Sequence, residues 1–406
     1  MNSLLQAARN VINTFSKVIN NDRCSFVGNV TVGKDVSLTQ LRKAYTAVVL
    51  AYGANSERRL NIPGENLPNV ISARHFVGWY NGLPEEQDLK LNFDVEDVAI
   101  VGHGNVALDI TRILLTPLEL LKKTDITEQA ITALSSSKVQ RVHLIGRRGP
   151  LQVAFTIKEL REMIRLPKSR PVLDPEDFKH LADCFEDLPR PRRRLTELLY
   201  NTAVKPTEED KKLWSDATQK WYLHFLRSPV EILSDGSSVK GLRLVKNKLE
   251  GSIKENPKAV STEKTIDLPC GMIMTSIGYQ GIQLDPDLPF DHSKGVVSNE
   301  NGRVTGIPGL YCTGWVSRGP LGVILNTMTD GLDTGKMILQ DLKSNLLETN
   351  KPGKEAVIKQ LKEAGVQTVS FDDWKKIDSI EMSQGKLIGK PREKMVVISE
   401  ILKLSL

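Results

Sequence analysis

The 406-residue chain has only four cysteines, Cys24, Cys184, Cys270 and Cys312, and no two of them share a C-x-x-C spacing. That scatter argues against a redox dithiol, a zinc site or a disulfide framework, and it reads as isolated thiols in a reducing compartment. No apolar run approaches the roughly 18 residues that cross a bilayer, so the chain reads as soluble, or at most peripheral to a membrane. Internal repeats and low-complexity segments are also missing. What remains is a composition of 40% hydrophobic and 26% charged residues, ordinary for a globular protein. The length exceeds one compact core and implies two or three domains. A net charge of +6 is modest, so any preference for an acidic partner would come from local basic clusters.

The most informative stretch is residues 97 to 112. An apolar run, Val98 to Val101, leads into Gly102, His103, Gly104, Asn105, Val106 and Ala107, and then into a helical pattern. This is a G-x-G-x-x-A dinucleotide turn between a strand and a helix. Gly102 permits the tight turn, Gly104 lets backbone approach a pyrophosphate, and small Ala107 lets the helix close on the sheet. A buried turn without a ligand is the plainer alternative; the strand-turn-helix context favours the cofactor.

Residues 141 to 146 read as the next buried strand, which ends in Arg147-Arg148-Gly149 where an NAD site would carry Asp or Glu. Two guanidiniums there suit a 2′-phosphate and favour NADP; the alternative is a solvated basic turn. A helical insertion over residues 116 to 138 lengthens the expected spacing of about 20 residues to the ribose-reading position.

Elsewhere the chain offers an amphipathic segment at residues 10 to 20, with no acidic residue before Asp22. It reads as a core helix, with a targeting segment as the alternative. Residues 24 to 30 read as a strand, 46 to 52 as a buried strand, and 62 to 65 as a domain crossover. Residues 230 to 264 read as an antiparallel excursion and 272 to 279 as the return strand. Pro189 to Arg194 is the densest basic cluster. It is a docking surface for an acidic protein, a nucleic-acid contact or a solvated run, and without interleaved aromatics the nucleic-acid reading is the weakest. A strand over residues 308 to 315 leads through a glycine-rich turn at 318 to 324 into a helix, and the charged tail from Lys351, including Lys390 to Lys394, reads as surface.

Gly102 to Asp109, the run Gly-Arg-Arg-Gly-Pro-Leu-Gln-Val-Ala-Phe-Thr ending at Thr156, Ser276-Ile-Gly-Tyr, and Gly314-Trp-Val-Ser-Arg-Gly-Pro-Leu-Gly-Val-Ile closely resemble the adrenodoxin reductase family, mitochondrial ferredoxin:NADP oxidoreductases. The likeness runs from about Asn10 to about Lys394. It implies an α/β fold of two dinucleotide-binding, Rossmann-like domains. The FAD-type domain would be discontinuous, residues 1–60 and 279–406, and the NADP-binding domain would be residues 61–278.

In that family NADPH reduces FAD, which passes electrons singly to an acidic [2Fe-2S] ferredoxin. The resemblance implies that His103 to Val106 hold the pyrophosphate and that Arg147, Arg148 and Glu159 hold the 2′-phosphate end. It implies that Trp315 sits by nicotinamide and flavin, that Gly322, Val323 and Ile324 offer backbone to FAD, and that Val32 touches its adenine side. Arg161, Arg190 and Arg194 match the ferredoxin-docking surface. Asp109 matches an acidic residue near the site, as a proton or electron relay or as an ordinary helix-surface carboxylate.

One departure stands against these matches: no G-x-G-x-x-G precedes Gly102, so the family's N-terminal FAD fingerprint is absent. In a doubly wound sheet the first strand is central, and its loss would expose strand edges. The sequence therefore predicts poor FAD binding and a loosened FAD lobe. It leaves open an alternative in which the chain is a truncated, non-catalytic remnant that binds NADP or ferredoxin.

Overall fold

The computed structural model describes residues 2–179, 181–251, 257–322 and 324–404. The chain divides into two compact units, one of residues 1–58, 278–381 and 397–406, the other of residues 59–277 and 382–396. Residues 382–396 thus belong to the second unit, whereas the sequence predicts the whole of 279–406 in the first.

The second unit is built on a six-stranded, all-parallel sheet. Its strands run in the order Val70–Ser72, Met272–Thr275, Asp97–Val101, Arg141–Ile145, Gln219–His224, Ser169–Leu173. Because side chains alternate across a strand, each central strand serves two cores. Val98, Ile100, Val142, Leu144, Met272 and Met274 pack with the helices on one side. Ala99, Val101, Ile145 and Ile273 pack on the other, with Leu242 and Leu244 of an antiparallel sheet formed by Arg227–Ser234, Val239–Glu250 and Lys258–Pro269. This two-sided burial is why the strands read as continuous apolar runs. Each such side chain withdrawn from water contributes roughly 1.5–3 kcal/mol before entropy is counted.

The helix Asn105–Leu115 buries Ala107, Leu108, Ile110, Thr111, Leu114 and Leu115, a stripe of helical period, and stops at Thr116, ahead of Pro117. The lengthening between the fingerprint strands is two short helices, Leu118–Leu121 and Glu128–Ser135. The basic cluster opens a third, Arg190–Val204, with Pro191 in its first turn.

In the first unit Val48–Leu50 pairs in parallel with Leu310–Cys312, and Arg303–Val304 and Asn299–Glu300 continue that sheet. Among the described residues Val48–Leu50 has a neighbour on one side only, and Val49 is exposed. The helix Ile324–Lys343 turns Leu325, Met328, Leu332 and Leu339 to solvent, each more than half exposed at 65%, 56%, 62% and 58%.

Three further expectations are corrected. The amphipathic segment is a helix, Asn2–Ile19, but Ile12, Phe15 and Val18 are exposed, so it is not a core helix. Residues 24 to 30 form no strand, only a bridge between Gly28 and Val369. Lys390, read as surface, is 4% exposed; its Nζ donates to Glu128 at 2.9 Å and also meets Glu393. No described helix is long and apolar enough to cross a membrane.

Candidate functional site

The glycine turn is shaped by contacts that only its residue types allow. Gly102 has φ +138°, and a Cβ there would lie 2.2 Å from the Ser276 carbonyl oxygen, so any larger residue would break the approach of strand 272–275. Gly104 faces open space, with no described atom within 4 Å of a Cβ built on it. Among the described residues no side chain caps the helix that begins at Asn105, so its first amides point outward with the positive end of the helix dipole. That is the arrangement that takes a pyrophosphate.

Two side chains in this turn are already committed. The His103 Nε2–H donates to the Leu144 carbonyl at 3.0 Å, and its ring sits over Gly146 and edge-on to Phe225. Burial pushes its pKa down to about 4, so the ring is neutral. Asn105 Oδ1 accepts the Thr156 N–H at 2.8 Å, tying the fingerprint helix to the start of helix Ile157–Ile164. His103 thus leaves only backbone for a phosphate, whereas Asn105 leaves backbone and its side-chain Nδ2.

Arg147 and Arg148 stand at the end of strand Arg141–Ile145 on a backbone pinned from both sides. Asn247 Nδ2 donates to the Arg147 carbonyl at 2.9 Å, the Leu226 N–H to the Arg148 carbonyl at 3.1 Å, and the Gly149 N–H to Gln152 Oε1 at 3.1 Å. Arg147 is exposed and Arg148 half-buried. Burial, then the charges of Arg147 and Arg192, hold the Arg148 guanidinium below arginine's ordinary value.

Glu159 lies elsewhere in this network. Its carboxylate pairs with Arg112 at 3.3 Å, and Arg112 also meets Asp109 and, at 2.5 Å, Glu162. Burial and the two glutamates raise the Asp109 pKa against the opposing pull of Arg112. The structure therefore joins Asp109 and Glu159 through Arg112, a residue the sequence reading missed, although its i,i+3 spacing from Asp109 was visible.

In the first unit Gly314, at φ +68°, starts the short helix Trp315–Arg318; the half-buried Trp315 ring stacks on Tyr279 with centroids 6.0 Å apart. Gly322 has φ +81°, Ile324 is exposed, and Val323 lies outside the described residues. Val32 packs its side chain with Val36, Ala44, Val357 and Leu361 and forms a backbone bridge with Val36. Thr313 Oγ1 is buried with no hydrogen-bond partner among the described residues, and Gly53 and Gly278, both at positive φ, face open space. An orphaned hydroxyl beside a Thr-Gly turn and two uncovered glycines in the same unit fit a bound polar cofactor such as FAD.

The docking candidates Arg161, Arg190 and Arg194 are exposed. Arg192 and Arg193 are not: Arg193 pairs with Glu197 at 2.8 Å, and Arg192 Nη1 donates to the Val153 carbonyl at 2.8 Å. The four cysteines form no disulfide, and no described group of His, Cys, Asp and Glu has the arrangement of a metal site.

No family model matches the chain. It is 54% identical over 400 residues to the mitochondrial NADPH:adrenodoxin oxidoreductases of Mus musculus and Homo sapiens, alignments that cover 98% of this chain and 81% of each relative. To the Arabidopsis thaliana protein of the same name it is 40% identical over 413 residues, covering 96% of this chain and 83% of that relative. The solved structure of Mycobacterium tuberculosis FprA in complex with NADPH superposes with a TM-score of 0.90 at 33% identity, covering 98% of this chain and 87% of that one. Fold and matches together define an oxidoreductase of the ferredoxin reductase class, whose members work with FAD and NADP(H). The chain belongs to the NADPH:adrenodoxin oxidoreductase family.

Proposed function

We propose that this chain passes electrons from NADPH through FAD to an acidic [2Fe-2S] ferredoxin in mitochondria. The observation that carries the NADPH half is the uncapped helix start at Asn105, behind open Gly104, with Arg147 and Arg148 at the tip of the adjacent parallel strand. Backbone amides of residues 104 to 106 hold the pyrophosphate, and the two guanidiniums meet the 2′-phosphate in charge-assisted bonds. Glu159 takes part by fixing Arg112 between helices Asn105–Leu115 and Ile157–Ile164.

FAD, when bound, supplies the conversion between a two-electron donor and a one-electron acceptor. Thr313, Gly314, Trp315, Gly322 and Ile324, with Val323 and Val32 by sequence, are the residues that would hold it. Trp315 offers a planar face, and the turn from Gly314 to Gly322 offers amides. Exposed Arg161, Arg190 and Arg194 steer the ferredoxin, an attraction that weakens as salt rises. The mitochondrial assignment follows the names of the relatives.

The test is the visible spectrum of the purified chain after incubation with excess FAD and removal of free cofactor. Flavin absorbance that stays with the protein and bleaches on anaerobic addition of NADPH is the expected result. A colourless protein that still binds NADPH would sink the FAD half.

A further inference from the structure

The basic run from Arg190 to Arg194 looks uniform in sequence, yet its members do different things. Arg190 and Arg194, four residues apart on one helix, face solvent, and Arg193 is paired with Glu197. Arg192 turns inward. It is half-buried, and its Nη1 donates to the carbonyl of Val153, one residue beyond the turn Pro150–Gln152 that follows Arg147, Arg148 and Gly149. That turn is itself held by Gln152, whose side chain accepts the Gly149 N–H. No carboxylate among the described residues pairs with Arg192 or with Arg147. Arg192 therefore reaches the turn that follows Arg147 and Arg148, and neither Arg192 nor Arg147 has a resident anion among the described residues.

We propose that Arg192 is a third cation of the 2′-phosphate site and a determinant of the preference for NADP over NAD. The proposal rests on the assignment of Arg147 and Arg148 to that phosphate and extends it to a residue 44 positions further along the chain. Its physical basis is that partly buried like charges repel unless an anion joins them, so their proximity favours the doubly charged phosphate monoester. The charge of Arg192 bears on Arg148, and burial holds Arg192 itself below its ordinary value, a cost that an anion at the turn would offset. Its bond to Val153 commits one arm of the guanidinium and fixes the plane of the remainder.

Calorimetric titration of the whole chain with 2′,5′-ADP and with 5′-AMP tests this, because the two ligands differ only in the 2′-phosphate. Arg192→Gln is expected to weaken 2′,5′-ADP binding about tenfold, the effect of losing one charge-assisted bond, and to leave 5′-AMP unchanged. Arg192→Lys, which keeps the charge but not the fork, is expected to recover part of the loss. Arg192→Met keeps the apolar stem and carries the same expectation as Arg192→Gln should the latter fail to fold. Unchanged discrimination in Arg192→Gln, with discrimination lost in Arg148→Gln, would overturn the proposal and leave the arginine-pair assignment standing. Equal weakening toward both nucleotides would make Arg192 merely structural and overturn it too. If Arg148→Gln also leaves the preference intact, the 2′-phosphate assignment fails as a whole.

Discussion

Three histidines of the NADP-type unit show how burial sets the state of a single residue. The His143 Nε2–H donates to Asp97 Oδ1 at 3.1 Å, which leaves Nδ1 to accept the Nε2–H of His224 at 3.0 Å. Burial, then the nearby His143, His103 and Arg227, pushes His224 down to about 4, and burial brings His103 to the same value. Burial also lowers His143, against the opposing pull of Asp97. Asp97 itself, although burial raises it, is held below the usual carboxylate range by its bonds from Arg141 and His143. An unfolded histidine titrates near 6.5, so between about 6.5 and 4 the unfolded chain binds more protons than the folded one. Stability is therefore complete above about pH 6.5 and falls as the pH drops toward 4; the Asp97 contribution is lost only below that. Urea midpoints at pH 7.5 and 5.0 are expected to show this loss. His224→Gln, which keeps an N–H for His143, is expected to reduce it, and a midpoint independent of pH across that window would refute the account.

At the scale of the element, the segment 382–396 shows what composition conceals. Lys-Pro-Arg-Glu-Lys reads as a solvated run, but the chain doubles back tightly there. The Lys390 N–H donates to the Gly385 carbonyl at 2.8 Å, and a Cβ on Gly385 would lie 2.4 Å from the Arg392 backbone. That closure brings Lys390 under cover, where Glu128 and Glu393 satisfy its ammonium. Removing the ammonium strands both carboxylates, one of them partly shielded. Lys390→Ala is expected to cost about 1–3 kcal/mol and to make residues 382–396 a preferred site of limited proteolysis. An unaltered melting temperature and cleavage pattern would show that the pair does not anchor the segment. The helix Arg190–Val204 makes the same point in reverse: a single cluster of like charges is divided among solvent, a glutamate partner and the turn that follows Arg148.

For the molecule as a whole, the two units differ in how completely they cover their apolar surface. The NADP-type unit buries a central parallel sheet on both faces, whereas helix Ile324–Lys343 of the other leaves a row of large side chains in water. A contiguous apolar face of this kind binds hydrophobic probes. The chain is expected to enhance the fluorescence of anilinonaphthalene sulfonate, and Leu325→Gln with Leu332→Gln is expected to remove most of that signal without lowering the melting temperature, because those side chains bury little. Destabilisation by the pair would show that the face is covered.

The sequence by itself determined the family, the strand-turn-helix at residues 97 to 115, the arginine pair at the next strand's end, and the antiparallel excursion after residue 230. These are local signals: glycine demanded by a positive φ, an alternation of period two, an apolar run buried on both faces. Only the tertiary structure decided that His103 spends its ring, and Asn105 its amide oxygen, on the fold. It alone joined Asp109 to Glu159 through Arg112, placed Arg192 near Arg148, and buried Lys390. Each of these pairs residues far apart in the chain, and their meeting depends on which helix packs against which turn. Local periodicity records how deeply a residue is buried, but it carries no term for the partner it is buried against.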